Sequence, residues 1–161
     1  MHIDFFLERF CANSENEAMI WHDKVYTYHD ILSYIEQDRE KLKESISSPM
    51  VVSIEADFSP HAAALLLTLI DLGCVIVPLT ESVASKKGEF KDIAQVEATV
   101  ILHEDDSFSF QTENRRADHE IIQKLKRENH PGLILFSSGS TGKSKAAVHD
   151  FLPLLEKFKV P

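Results

Sequence analysis

The clearest pattern along the chain is an alternation of short apolar runs with longer helical patterns, which begins near residue 50. The apolar runs are four or five residues long and predict buried strands at 50–54, 74–77, 99–102 and 133–136. The helical patterns between them cover residues 59–72, 85–96 and 118–128, and residues 107–111 are a candidate edge strand. Continuous apolar strands separated by helices predict an α/β fold with a mostly parallel sheet and helices on both faces.

The first 48 residues have a different pattern. A helical face at 3–11 is followed by two short strand patterns at 18–21 and 25–28, which predict a hairpin. A second helix is predicted to begin at Thr27, because Thr27 and Asp30 have the spacing of a capping box.

The apolar run at 62–79 is the one candidate for a membrane-spanning segment. Asp71 and Gly73 interrupt it and Pro78 ends it, so a helix followed by a buried strand is the better interpretation. The helix is predicted to begin at Ser59, with Pro60 in its first turn. In the later helix at 118–128 we expect Ile121, Ile122 and Leu125 to face inward, and we expect Trp21 and the phenylalanines to lie in the core.

The composition of the chain narrows the range of possible functions. A net charge of −9 on 161 residues argues against general nucleic-acid binding, because a phosphate backbone would be repelled. Cys11 and Cys74 are predicted to be buried thiols in a reducing compartment, which indicates a cytoplasmic protein. The eight histidines are scattered without the spacing of metal ligands, so no metal site is predicted.

One segment carries a specific chemical signal, and it follows the predicted strand at 133–136. Ligands bind at the carboxyl ends of strands in an open parallel sheet. The segment combines two glycines, which let the backbone N–H groups converge, with small hydroxyl side chains and two lysines. We therefore predict phosphate binding by Ser137, Ser138, Gly139, Ser140, Thr141, Gly142, Lys143 and Lys145.

Two other interpretations of this segment remain open. A Ser/Gly turn that only links two elements is common, but it does not need four hydroxyl residues and two lysines. The P-loop of nucleotide hydrolases matches at Gly142, Lys143 and Ser144, but its pattern requires glycine where this chain has Ser137. A P-loop also opens a helix, whereas residues 145–149 have the pattern of a strand.

The segment resembles the signature of adenylate-forming enzymes, which include acyl-CoA synthetases, luciferases and the adenylation domains of peptide synthetases. That signature is two hydroxyl residues, Gly, two hydroxyl residues, Gly, a variable residue, Pro and Lys, often followed by Gly-Val-Val-His. This chain departs from it at Ser144, where proline is usual, and at Ala146, where glycine is usual. Residues 26–32 and 69–79 resemble two upstream segments of the same family, in the same order.

The resemblance implies a ligase that uses ATP and Mg²⁺ to join a carboxylic acid to AMP, and that passes the acyl group to coenzyme A or a carrier protein. It implies hydroxyl contacts from Ser138, Ser140 and Thr141, backbone contacts from Gly139 and Gly142, and charge compensation by Lys145. No catalytic residue is expected in this chain. His149 is expected to be a hydrogen-bonded structural histidine rather than a base.

The resemblance covers only about the first third of the family's length. We therefore expect residues 1–161 to form one incomplete domain, a partial N-terminal domain of an adenylate-forming enzyme. Residues 1–48 are expected to form a helix, a hairpin and a second helix, and residues 49–161 an alternating strand/helix unit that ends in the phosphate loop. The chain alone is expected to be inactive in adenylation and to self-associate. The alternative is a non-catalytic truncated module that binds phosphate or pairs with other chains.

Overall fold

The computed structural model of the chain describes residues 2–138 and 144–159. Its strands are β1 Glu17–Trp21, β2 Lys24–Thr27, β3 Val51–Glu55, β4 Val75–Leu79, β5 Ala98–Leu102, β6 Phe108–Thr112, β7 Gly132–Ser138 and β8 Ser144–Asp150. Its α-helices are α1 Asp4–Ala12, α2 Tyr28–Leu42, α3 Pro60–Asp71, α4 Lys87–Ile93, α5 Glu120–Glu128 and α6 Phe151–Glu156. A 3₁₀ helix at Glu81–Lys86 leads into α4.

Six strands form one mixed sheet in the order β6-β5-β3-β4-β7-β8, and β1 pairs with β2 in a separate hairpin. The four inner strands are parallel, since β3 pairs in parallel with β4 and β5, and β4 pairs in parallel with β7. The outer strands β6 and β8 are antiparallel to their neighbours. The predicted α/β fold with a mostly parallel sheet is confirmed.

The core lies on both faces of this sheet, because successive side chains of a strand point to opposite faces. On one face, Val52, Ile54 and Ile76 pack with Leu65 and Leu69 of α3. We call this the α3 face. On the other, which we call the α5 face, strand side chains pack with residues of α4 and α5, namely Val51, Val75, Val77, Phe90, Ile122, Leu125 and Ile134.

Capping residues that the sequence predicts lie at the starts of two helices. Thr27 and Asp30 form a capping box at the start of α2, in which each side chain bonds the other residue's backbone N–H. The Ser59 side chain accepts a hydrogen bond from the N–H of Ala62, with Pro60 in the first turn of α3. Both predicted helix starts are confirmed.

Strand β4 continues past Pro78 to Leu79, so the expectation that Pro78 stops the strand is wrong. The reason lies in the neighbouring strand. Strand β7 pairs with β4 only at Val75 and Ile76, and therefore β4 is locally an edge at Pro78. Proline is tolerated at an edge, where its missing N–H breaks no ladder hydrogen bond.

The predicted helix at 85–96 is also shorter and begins differently. The chain forms the 3₁₀ helix first, α4 ends at Ile93, and Gln95 takes a left-handed conformation with φ of 55°. The hairpin strand predicted at 25–28 ends at Thr27, because Tyr28 is already the first residue of α2.

Three expectations of burial are wrong. Ile121 is 51% exposed, because it lies in the first turn of α5 and Ile122 and Leu125 occupy the face against the sheet. Cys11 is exposed on α1, a helix that buries no residue completely. Two phenylalanines are exposed: Phe58, at 76%, in the connection between β3 and α3, and Phe158, at 54%, after α6.

The apolar run at 62–79 forms most of α3 and β4, as predicted. Of the helices in the described part of the chain, none is both long and apolar enough to cross a membrane.

Candidate phosphate-binding hairpin

The predicted phosphate segment joins the two strands of a β-hairpin. Strands β7 and β8 are antiparallel and pair over seven positions, from Gly132 with Asp150 to Ser138 with Ser144. The parallel pairing of β7 with β4 places the end of β7 at the edge where β3, β4 and β5 also end. The last described pair of the hairpin, Ser138 with Ser144, therefore lies at the carboxyl edge of the sheet, where ligands bind in folds of this class.

The structure describes only part of the predicted site. The backbones of Ser137 and Ser138 end β7, and Lys145 is the second residue of β8. The other predicted site residues lie outside the described residues: Gly139, Ser140, Thr141, Gly142 and Lys143.

Ser137 and Lys145 are directly opposite each other in the hairpin. Residues opposite in an antiparallel pair project their side chains on the same face, with Cβ atoms about 5 Å apart. Both residues are exposed. A hydroxyl donor and an ammonium group are thus available on one face at the base of the predicted loop.

That face of the hairpin is open. It carries three cross-strand pairs: Leu133 with His149, Leu135 with Ala147, and Ser137 with Lys145. Leu135 is 43% exposed, and Ala147 and His149 are also exposed. We call these three pairs the open hairpin face.

The opposite face of the hairpin is anchored. The ring of Phe136 stacks on Phe90 of α4 with centroids 4.0 Å apart. At the other end of β7, a Cβ added to Gly132 would lie 2.8 Å from Leu125 and 3.2 Å from Val75. A larger residue at this position would therefore have to displace the Leu125 side chain, which packs α5 against the sheet.

Lysines of α4 at the carboxyl edge are already neutralised. Lys87 contacts Glu55 at 3.3 Å and Glu81 at 3.2 Å, and Lys91 contacts Glu55 at 3.2 Å. Partial burial acts to lower the pKa of Lys87, but the hydrogen bonds to Glu81 and Glu55 outweigh it and raise the pKa. Lys145, in contrast, has no ion-pair partner among the described residues.

The magnesium ion implied by the family resemblance does not fit the described residues of the hairpin base. Mg²⁺ is usually held by one or two carboxylates together with waters and phosphates. Ser137, Ser144 and Lys145 supply no carboxylate, and no group of three His, Cys, Asp or Glu in residues 2–138 and 144–159 could hold a metal. We derive no step through this ion.

His149 differs from its expected role. It is exposed on β8 and makes no hydrogen bond to any described residue, so the expected structural hydrogen bond is absent from that part of the chain. The histidine that does pair is His130, whose Nδ1 lies 2.8 Å from Asp150 Oδ2. Asp150 also caps α6 by accepting from the N–H of Leu152. This pair joins the two ends of the hairpin to α6.

A second pair is fully buried and was not predicted. His61 Nε2 of α3 lies 3.0 Å from Asp38 Oδ1 of α2, and the ring of Tyr34 stacks on the His61 ring at 4.3 Å. His61 and Asp38 lie between α3 and α2, and both are far from the hairpin in the sequence. The only available sequence signal is that Asp38 occupies a position at helical spacing from the buried Ile31 and Ile35.

Comparison with known proteins finds matches among solved structures only. No protein-family model matches the chain, and no curated protein matches it.

Solved structures with the same architecture are adenylation proteins. The N-terminal subdomain of Klebsiella oxytoca NpsA, in complex with 3-hydroxybenzoyl-AMSN, aligns over 90% of this chain with a TM-score of 0.65 and 20% identity. An artificially fused adenylation–PCP di-domain protein, NpsA-ThdA of the same organism, aligns over 91% with a TM-score of 0.66 and 20% identity. Holo-AB3403, a four-domain nonribosomal peptide synthetase bound to AMP and glycine, aligns over 98% with a TM-score of 0.69 and 16% identity.

The chain spans only part of each of these proteins: 39% of the NpsA subdomain, 32% of the fused protein and 12% of AB3403. The chain therefore has a fold that matches part of the N-terminal subdomain of adenylation domains.

Proposed function

We propose that this chain is the N-terminal part of an ATP-dependent carboxylate-adenylating ligase, and that its β7–β8 hairpin holds the phosphates of ATP. In this proposal, residues 1–161 are one incomplete domain. The ligand contacts are those predicted from the sequence: Ser137, Ser138, Gly139, Ser140, Thr141, Gly142, Lys143 and Lys145. The carboxylic acid substrate and the thiol acceptor, coenzyme A or a carrier protein, belong to the longer enzyme, which we place in the cytoplasm.

One observation carries the proposal. In a fold shared with adenylation subdomains, the Ser/Gly segment links two antiparallel strands at the carboxyl edge of the sheet, with Ser137 opposite Lys145. Backbone N–H groups and hydroxyls at a glycine-rich turn suit phosphate oxygens, and a nearby ammonium group offsets their charge. Each charge-assisted hydrogen bond contributes about 1.5–3 kcal/mol, so a few of them hold a triphosphate on an acidic protein.

The hairpin disfavours the P-loop alternative. In a P-loop, the lysine and the following hydroxyl residue open a helix. Here the chain enters β8 at Ser144, directly after Lys143. The two lysines therefore have different expected importance: a P-loop depends on Lys143, whereas the adenylating signature depends on Lys145.

A thermal-shift titration with ATP tests phosphate binding on the 161-residue chain. We expect ATP to raise the melting temperature, Lys145→Ala to reduce this shift strongly, and Lys143→Ala to retain most of it. The reverse order of the two variants would support a P-loop instead. No ATP-dependent shift in the parent chain would contradict phosphate binding and favour the non-catalytic alternative.

Pyrophosphate exchange tests the second half of the proposal. We expect no carboxylate-dependent exchange of pyrophosphate into ATP by this chain, because the resemblance assigns it no catalytic residue. Clear carboxylate-dependent exchange would show that the chain is a complete adenylating unit and would overturn the expectation of inactivity.

The open hairpin face gives specific support to the second candidate function, an interaction module. Leu135 and Ala147 expose apolar surface beside the unpaired edge of β8. Edges of this kind are ready to pair with another chain. The two candidates meet at the Ser137–Lys145 pair, which belongs both to the proposed phosphate site and to the open hairpin face.

A further inference from the structure

A cleft rich in positively charged side chains lies at the amino ends of β3 and β5, at the edge of the sheet opposite the phosphate hairpin. It has a volume of about 690 Å³ and is lined by residues just before β3 and β5, by the end of β6 and the segment that follows it, and by α5. Small-molecule sites typically have volumes of roughly 300–1,000 Å³. Six charged side chains line it: Glu97, Glu113, Arg115, Arg116, Lys126 and Arg127. We call it the arginine cleft.

Both carboxylates of the arginine cleft contact lysines. Glu97 contacts Lys126 Nζ at 2.8 Å, and it also accepts hydrogen bonds from the backbone N–H groups of Val51 and Ala117. Glu113 contacts Lys91 at 3.2 Å, and it shares this lysine with Glu55. The charge of Glu97 is therefore paired within the cleft, and that of Glu113 is compensated in part.

Of the three arginines of the cleft, Arg115 is ion-paired, with Asp92, within the described part of the chain. Arg116 and Arg127 are exposed and have no hydrogen-bond or ion-pair partner among the described residues. Arg115 is held in place, since its Nη1 donates to the carbonyl of Lys91 at 3.0 Å and its Nη2 contacts Asp92. The cleft thus concentrates positive charge on a protein with a net charge of −9, and local charge, rather than the total, decides what a cleft attracts.

We propose that the arginine cleft binds a small molecule that carries two or more phosphate groups. Guanidinium groups match phosphate oxygens with paired N–H donors and lose less hydration than an ammonium group. Arg116 and Arg127 are two guanidiniums on one cleft without a partner among the described residues, so a ligand with two phosphate groups can engage both, whereas a single carboxylate can pair with only one. The site is independent of the proposed function, because it uses none of residues 137–145.

An NMR titration of the full chain with inorganic pyrophosphate tests this proposal and also locates the binding. We expect saturable shifts of the amides of residues 113–117 and 124–128, weakened by added salt because the contacts are exposed. The double variant Arg116→Ala/Arg127→Ala should weaken this binding at least about tenfold, since each arginine contributes a charge-assisted hydrogen bond.

A charge-matched variant separates the cleft from the overall charge. Lys86→Ala/Lys124→Ala removes two exposed, unpartnered cations that do not line the cleft, and it should bind like the parent chain. Equal weakening by both double variants, or no shift at residues 113–117 and 124–128, would overturn the proposal. Shifts confined to residues 137–145 would overturn it while supporting the proposed function, and Lys145→Ala should leave binding in the cleft unchanged.

Discussion

Ser137 and Lys145 are cross-strand partners next to the last described pair of the β7–β8 hairpin, and both are exposed on its open face. The preceding residue, Phe136, projects from the opposite face of β7 and stacks on Phe90. The hairpin therefore has one anchored face and one open face. The polar pair that we assign to phosphate binding lies on the open one.

The same open face predicts self-association of the chain. Leu135 is 43% exposed beside the edge strand β8, and apolar surface next to an unpaired strand edge promotes pairing with another copy. We expect the 161-residue chain to elute above its monomer mass in size-exclusion chromatography with light scattering. Leu135→Lys should shift it toward monomer, because a charge on the exposed apolar face opposes its burial against another copy.

Ile121 provides a matched control for that experiment. It is 51% exposed on α5, outside the hairpin, so Ile121→Lys adds the same charge at an equally exposed aliphatic position. It should leave the association unchanged. A parent chain that is monomeric at high concentration, or equal effects of the two lysines, would contradict an interface on the open hairpin face.

A buried carboxylate gives a second prediction, which concerns stability. Glu97 satisfies two backbone N–H groups and Lys126 at once. Glu97→Ala leaves all three groups unsatisfied, so we expect a loss of about 3–5 kcal/mol in the free energy of unfolding, measured with urea. Glu97→Gln keeps an acceptor oxygen and should cost less.

The control for this loss is a carboxylate in an exposed ion pair. Glu40 pairs with Lys43 on the surface of α2, and exposed pairs contribute at most about 1 kcal/mol. Glu40→Ala should therefore change stability little. Equal urea midpoints for Glu97→Ala and Glu40→Ala would refute a structural role for the Glu97 cluster.

Local signals explain why much of the fold was predictable. The strands β3, β4, β5 and β7 are apolar on both faces, so their sequences identify them without knowledge of the neighbours. The capping box at Thr27 and the Ser59–Pro60 start depend on residues three apart, and both were predicted. The candidate phosphate site was also predictable, because its residues lie in one continuous segment, 137–145.

Features that depend on tertiary contacts were not predictable in the same way. Whether Ile121 or Ile122 faces the sheet depends on where α5 begins, and His61 meets Asp38 only because α2 and α3 pack together. The arginine cleft combines residues from three elements, and no local pattern relates Arg116 to Arg127. Glu97 offered a usable signal, since a carboxylate between apolar Val96 and Ala98 indicates a buried partner.

The two cysteines are expected to differ sharply in reactivity, because their environments differ. Cys74 is buried, and burial raises the pKa of its thiol to about 12. Cys11 is exposed on α1. At pH 8, a disulfide reagent such as DTNB should modify one thiol rapidly in the native chain, and the second only on unfolding. Cys11→Ser should abolish the fast phase, whereas Cys74→Ser should leave it. Two fast thiols in the native parent chain would contradict the burial of Cys74.

The capping box of α2 predicts a stability contribution that depends on pH. The backbone N–H of Thr27 donates to Asp30 at 2.8 Å and the Thr27 hydroxyl donates to the same carboxylate at 2.9 Å, and these hydrogen bonds lower the pKa of Asp30. A carboxylate with a lowered folded-state pKa stabilises the fold above the ordinary Asp pKa of about 4, and the stabilisation is lost as the pH falls through the folded-state value. Thr27→Ala should therefore cost about 0.5–2 kcal/mol near pH 7 and less as the pH falls below about 4.

Ser59 is the matched control for this pH dependence. It caps α3 by accepting from the N–H of Ala62, without a carboxylate partner at the third helical position. Ser59→Ala should have a similar cost that stays constant between pH 7 and about 3, because no titrating group takes part. Urea unfolding of both variants and the parent across this range measures the two costs. A Thr27→Ala cost that does not decline with pH, or a parallel decline for Ser59→Ala, would show that the Asp30 carboxylate contributes nothing specific to the start of α2.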